Sequence, residues 1–363
     1  AAVRLAGGYA SDRWGRPRDV AAVGYAMSVL ARLGLVLGAV PGGPSAGGLV
    51  SGSLATDRIG KGIRTAPRDA MLAATARPAD LGLVFGVHRA MDTGGALLGP
   101  FAAFALLAAF PQAYDLVFVV SAAVAVVAFA ALVLLVDADT GTPLPRPRRP
   151  DRPTPRAALT PLRDRRFAAL VAAGFVLSLA MVGDGFVYLR LRDTSALATT
   201  YFPLLAAGTA AVYLLLAVPV GRLADRAGRG RVLLAGYGCL LGVYLLLLVP
   251  RSGTVGIVCA LALLGAFYAA TDGVLAAAAS ALLAPVTRTS GLALLATAAA
   301  IGQLLASAGF GLLWTIGGAA TALRVTVGTG VVALVVAIPL LRFAEQVDHR
   351  LARRSPDRPG AGG

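Results

Sequence analysis

Ionisable side chains set inside apolar sequence are the chemistry-bearing feature of this chain. Asp57, Arg58, Lys61, Arg64, Arg68, Asp69, His88, Arg89 and Asp92 lie in two neighbouring segments that otherwise read as membrane-spanning. A charge at a bilayer centre costs roughly 2.5–3.5 kcal/mol even on lenient insertion scales, so these groups must face water or one another. At about 100° per residue, Asp57, Arg58, Lys61, Arg64, Arg68 and Asp69 fall within an arc of about 140°. Ile59, Ile63 and Ala66 point the opposite way. On the next segment His88, Asp92, Gly95 and Gly99 share one face, with Arg89 at its edge. Two helices with one charged stripe each form the wall of a solute pathway. Its acids and His88 can take up and release protons, and its cations can hold an anionic group.

The elements that must position these residues follow from composition. The chain has 363 residues, 57% hydrophobic and 14% charged, with a mean hydropathy of +0.76. That is the profile of an all-α, polytopic membrane protein. The net charge of +15 would suggest nucleic acid in a soluble chain. Here most of the arginines sit where the positive-inside rule wants them, and Trp14, Trp314 and the tyrosines show no stacking pattern, so no nucleic-acid partner is expected. Cys239 and Cys259 lie in apolar runs and His88 and His349 are the only histidines, so neither a disulfide framework nor a metal centre is expected.

Residues 1–11 read as the tail of one span. Further spans are predicted near 20–40, 46–72, 82–109, 113–136, 167–189, 197–221, 231–250, 255–284, 290–316 and 322–341. This gives about eleven spans, the first partial. They divide into an N-terminal bundle (1–136), a Pro- and Arg-rich linker (137–166), a C-terminal bundle (167–341) and a polar tail (342–363). With the Asp12–Asp19 loop inside, 22 of the 33 basic residues fall at the inner ends and four at the outer ends. The positive-inside rule then places linker and tail in the cytosol, with the chain in the cytoplasmic membrane.

An internal repeat is the next most informative feature. Gly8–Arg18 (GYASDRWGRPR) recurs as Gly221–Arg231 (GRLADRAGRGR), and Asp69-Ala-Met-Leu-Ala-Ala recurs more weakly from Asp272. Glycines permit a tight turn, the aspartate can cap a helix start, and the arginines can tether helix ends. Asp12, Arg13, Arg16, Asp225, Arg226 and Arg229, with Arg68, Asp69 and Asp272, are therefore expected to form a cytoplasmic gate that latches the two halves and releases when they rock.

These motifs resemble the major facilitator superfamily of secondary transporters. Gly221–Arg231 matches its loop signature; Gly8–Arg18 matches with Ala10 and Pro17 as departures. Gly95-Ala-Leu-Leu-Gly99-Pro100 resembles the antiporter motif of drug–proton exporters, with Phe101, Ala102 and Ala103 where a glycine pair is usual. The stretches from Arg58 to Asp69, from Phe85 to Thr93 and from Gly183 to Arg190 look like a bacterial subgroup of that family. The resemblance implies two six-helix bundles. By that count the first helix is missing, and an N-terminally truncated sequence is expected.

Of the remaining candidates, Asp184 is a proton carrier or a partner for an arginine. Gln303 and Tyr268 can contact substrate or hydrogen-bond between helices. Arg32 can line the cavity or pair with an acid on the following span. Gly95, Gly99 and Pro100 are assigned to helix packing or a hinge. The reading is a secondary active transporter of a small organic solute, expected to work by alternating access as a proton-coupled exporter. It is expected to act as a monomer in the lipid bilayer, with no cofactor beyond the proton gradient. Four cations against two acids in the stripe predict an anionic or amphipathic solute. Alternatives are an uptake permease for an anionic metabolite, a transport-inactive sensor or assembly protein, and an intramembrane enzyme using His88, Arg89 and Asp92.

Overall fold

The computed structural model describes residues 2–38, 46–110, 113–136, 155–195, 202–249 and 253–345. The described residues form helices α1 (Ala2–Trp14), α2 (Pro17–Gly38), α3 (Ala46–Thr75), α4 (Leu81–Ala109), α5 (Tyr114–Leu135), α6 (Arg165–Ser178), α7 (Asp184–Ser195), α8 (Phe202–Ala227), α9 (Arg229–Leu248), α10 (Gly253–Leu282) and α11 (Arg288–Glu345). Residues 155–163 add a 3-10 turn; 137–154 of the linker and the tail beyond Glu345 lie outside the described residues.

Seven of these helices are long and apolar enough to cross a membrane. The charged stripe lowers α3 below that mark although it runs 30 residues. Helix α11 is two spans end to end, bent where Gly318 adopts φ 78°. Within the N-terminal half α2 packs on α3 and α5, and α1 on α3. Within the other half α6 packs on α11, and α9 and α8 on α10. The two halves meet through α4 on α8 and α10, and through α1 and α3 on α11. The large core lies in the C-terminal half, around Phe167, Leu177, Tyr244, Leu264, Phe267 and Leu323. A smaller cluster of Leu81, Phe85, Ala73 and Ala277 joins the halves.

One predicted span differs. Residues 167–189, expected as a single helix, break at 179–183 into α6 and α7. A break at this depth strands backbone polar groups, and neighbours must satisfy them. The buried Tyr244 hydroxyl donates to the Ala180 carbonyl (2.9 Å) and accepts from the Val182 N–H (3.1 Å). Gly183 N–H donates to Ser307 Oγ at 3.1 Å. Asp184 then opens α7, where a carboxylate complements the positive helix end.

Candidate functional site

The two copies of the repeat do the same thing in opposite directions. Asp225, at the end of α8, accepts hydrogen bonds from the backbone N–H groups of Gly82 (2.9 Å) and Leu83 (2.8 Å), the first turn of α4. Asp12, at the end of α1, accepts from the N–H groups of Thr289 (3.2 Å) and Ser290 (2.6 Å), the first turn of α11. Each half thus caps a helix start of the other with a carboxylate. These are the orphan donors and the positive end of the helix dipole. The backbones come close enough that a Cβ at Gly82 would lie 2.5 Å from the Gly221 carbonyl oxygen, and one at Gly8 2.7 Å from the Ala293 Cβ. Glycine is required at both contacts. Gly15 and Gly228, at φ 62° and 100°, make the turn that follows each aspartate.

The arginines expected around both aspartates join only one. Arg229 donates to Asp225 at 2.9 Å and also to the Pro78 carbonyl. Arg16 instead pairs with Asp19 at 3.5 Å in solvent, and Arg13 and Arg226 are exposed. Burial with no cation beside it raises the Asp12 carboxyl above the usual carboxylate range, against the hydrogen bonds from Ser290 and Thr289.

The charged stripe is less uniform than the helical wheel implies. Arg32 pairs with Asp57 at 3.9 Å, too long for a hydrogen bond, and Asp57 Oδ1 is left buried without one. Arg64 donates to Ser28 and stacks over Tyr25 at 4.6 Å, filling the α2–α3 interface and not a cavity. Arg58 and Lys61 are exposed, with no carboxylate partner among the described residues. Ala66 and Ile63 lie on the packed face, Ile63 against Gly7 of α1, while Ile59 is exposed. Asp69 is buried and accepts from Arg68 (2.9 Å), with Arg89 3.8 Å away. Arg89 also reaches Asp92 at 3.9 Å and feels the charge of Asp272 in the other half. His88 is half-buried, its Nε2 without a hydrogen bond.

In the second half the ionisable groups form a row. Tyr268 donates to Asp184 at 2.5 Å, the Tyr268 and Tyr213 rings lie 6.0 Å apart, and Tyr213 donates to Asp272 at 3.2 Å. The row runs from the α6–α7 break to the interface where Arg89 enters. Asp272 therefore sits in this row, close to Arg89, whereas the capping contacts are made by Asp12 and Asp225. Gln303 is half-buried on α11.

The sequence matches the Major Facilitator Superfamily over residues 1–209 and 187–360. The chain belongs to that superfamily. Its members are transporters, and the chain is a transporter, not an enzyme. An uncharacterized MFS-type transporter of Methanocaldococcus jannaschii is 29% identical over 317 residues, covering 85% of this chain and 75% of that one. The fold is shared with the fucose:proton symporter of E. coli (TM-score 0.69, 16% identity, 93% of this chain and 87% of that one). It is shared also with the human organic anion transporter of the superfamily (TM-score 0.68, 15% identity, 92% and 80%). A bacterial homologue of the iron transporter ferroportin in an outward-facing state gives TM-score 0.68 at 19% identity, covering 93% and 88%.

Within this superfamily transporter, one assignment needs correction. Among the described residues Gly95 and Gly99 do not mediate helix packing: a Cβ at either would meet nothing there within 4 Å. Helix α4 also continues unbroken through Pro100, so no hinge is formed there. The packing glycines of α4 are Gly82 and Gly86, one helical turn apart at the other end, where an added Cβ at Gly86 would lie 2.5 Å from the Ala217 carbonyl oxygen. The close approach of the halves along α4 is thus at the basic-loop end, and beyond it α4 is more exposed, Met91 at 73%.

Sequence reasoning missed three contributors. Arg4 of α1 donates to the Ala296 carbonyl of α11 at 3.1 Å and lies near Asp69. Ser11 Oγ meets Thr289 Oγ1 at 3.4 Å, beside the Asp12 cap. Tyr213 links Asp272 to the row. The repeat offers a signal only for Ser11, which stands beside Asp12 as Ala224 stands beside Asp225.

Proposed function

We propose that this transporter works by alternating access, exporting a small organic solute across the cytoplasmic membrane in exchange for protons, with the basic-loop end in the cytosol. The observation that carries the reading is the reciprocal capping by Asp12 and Asp225. Such contacts close one end of the molecule, are made of few groups, and can be released as the halves rock. Asp184 is the proton site of the cycle. It opens a half-helix, and the Tyr268 hydroxyl that donates to it belongs to a different helix.

The solute carries a carboxylate or phosphate. Asp57 is taken by Arg32 and Arg64 by Ser28 and Tyr25. That leaves the cations of Arg58 and Lys61 for an anionic group, which would offset the cost of unpaired charge in the pathway. The transporter acts as a monomer, since each latch is completed within one chain.

The test is proteoliposome transport with a pH-sensitive dye inside and a panel of amphipathic carboxylates and phosphates outside. Solute-dependent proton flux is expected, lost at least tenfold in Asp184→Asn and weakened in Arg58→Ala and Lys61→Ala at equal protein level. Flux indifferent to the pH gradient and to Asp184→Asn, or transport of cationic compounds alone, overturns the reading. Uptake is the second reading, favoured by the open surroundings of Gly95 and Gly99 and by Phe101, Ala102 and Ala103 in place of glycines. The sign of the pH gradient that drives accumulation distinguishes it from export.

A further inference from the structure

At the basic-loop end, a groove between α9 and the second limb of α11 holds a cavity of about 500 Å3 that the transport cycle does not use. Its rim carries Arg231, Arg342 and Glu345; Leu234, Ile338 and Leu341 also line it. Leu234 and Ile338 lie about one turn, roughly 5 Å, further into the span than Arg231 and Arg342, and Leu341 lies a turn deeper than Glu345. The cavity is therefore layered along the membrane normal, with cations at headgroup level and aliphatic wall beneath.

The charges do not cancel within the protein. Glu345 accepts from the Gly230 N–H at 2.6 Å, so its carboxylate caps α9 and is offset by that helix start. Arg231 donates once, to the Ala227 carbonyl at 3.3 Å, leaving most of its five donors over. Arg342 makes no hydrogen bond or ion pair among the described residues. The matching arginine of the first repeat, Arg18, is used differently: it donates to the Val133 carbonyl at the end of α5. The surplus cation is thus particular to the C-terminal half. A free anion would satisfy this rim but not the aliphatic wall, whereas an amphiphile with a negative head satisfies both. Val335, Val336 and Phe343 on the same limb are exposed, as a lipid-facing surface would be.

We propose that this groove binds one anionic phospholipid, its phosphate held between Arg231 and Arg342 and an acyl chain lying over Leu234, Ile338 and Leu341. Planar guanidinium groups match phosphate geometry, and basic pockets between spans suit anionic headgroups. The site is independent of the transported solute and of the direction of transport.

The experiment is native mass spectrometry of the full chain in neutral detergent, titrated with phosphatidylglycerol or phosphatidylcholine. One phosphatidylglycerol should bind at least tenfold tighter than phosphatidylcholine. Arg231→Gln with Arg342→Gln, both exposed and so neutral to the fold, should remove that preference; Arg77→Ala, an exposed arginine elsewhere, should leave it intact. Equal affinity for the two lipids, or an unchanged preference in the double variant, overturns the proposal. So does inorganic phosphate displacing the lipid at equal concentration, which would make the site one for a free anion. A chain ending at Glu345 that binds phosphatidylglycerol when the full chain does not would make the tail the occupant, and also overturns it.

Discussion

The two latches share a motif and differ in how their carboxylates are supported. Asp225 is backed by Arg229, and both side chains are nearly buried, at 9% and 13% exposure. Asp12 likewise accepts from two backbone donors but has no paired cation among the described residues; its equivalent arginine, Arg16, is 74% exposed and pairs with Asp19, 53% exposed. The sequence departure lies at the next residue. Pro17 stands where the second copy has Gly230, and Pro17 has no N–H to match the one Gly230 gives to Glu345. One latch is thus a buried ion pair that also caps a helix. The other is a helix cap alone, with an extra hydroxyl contact from Ser11. The asymmetry implies that the latches do not release together: the Asp12 side is the weaker.

The comparison breaks most severely at Asp225. Asp225→Asn leaves Arg229 buried without its charge, at a cost of about 3–5 kcal/mol to the latched state, or more than a hundredfold in its population. Spin labels at Arg77 and Arg222, in a background lacking Cys239 and Cys259, should report an opened distance. Membrane levels should stay near normal, because the open state never makes this contact. A latched distance with wild-type transport would remove Asp225 from the gate.

Gly221→Ala ranks second. Its Cβ would collide with the Gly82 carbonyl oxygen, which is backbone and cannot swing away. Overpacking of this kind costs about 1–3 kcal/mol. Gly95→Ala, where space is open, should change neither latch distances nor stability, and an equal effect of the two would dissolve the contrast between the ends of α4.

Asp12→Ala removes only a cap, worth about 1 kcal/mol, so the latched population measured between labels at Arg13 and Val286 should fall about fivefold. Asp12→Asn keeps an acceptor without a charge to bury and should fall less. The pH dependence has a definite sign. The Asp12 carboxyl is raised in the latched state, so that state binds the proton more tightly than the open one, where the group is solvated. Acidification should favour closure on this side; the contribution is complete below the ordinary carboxylate pKa and is lost as pH rises through the raised one. The dependence should vanish in Asp12→Asn.

Arg16→Ala should have the smallest effect. Its ion pair is solvated and worth no more than about 0.5 kcal/mol. A loss comparable to that of Asp225→Asn would show that the two repeats are equivalent after all.

Much of this was written in the chain itself. Apolar runs of about twenty residues require helices that satisfy their own backbone in lipid, and the spans follow from that. The repeat marked Asp12 and Asp225 because two matching loops need a common use, and the charges of α3 and α4 announced a pathway because lipid would not tolerate them. Partner choice was another matter. The motif could not say whether its aspartates bind arginines or helix starts, since the donors are backbone groups of Gly82, Leu83, Thr289 and Ser290, which any sequence carries. The wheel placed Arg64 among the cavity cations, but which neighbour fills that angle is fixed only when α2 brings Ser28 and Tyr25 against it. Gly95 and Gly99 have a spacing suited to close packing, yet among the described residues nothing comes within 4 Å of a Cβ placed there, while Gly82 and Gly86 with the same spacing are met by α8. The break at 179–183 was invisible for the same reason: local hydropathy favours a continuous span, and only Tyr244 and Ser307, arriving from other helices, make the interruption affordable. Periodicity fixes which residues share a face; what that face meets is decided by helices far away in the chain.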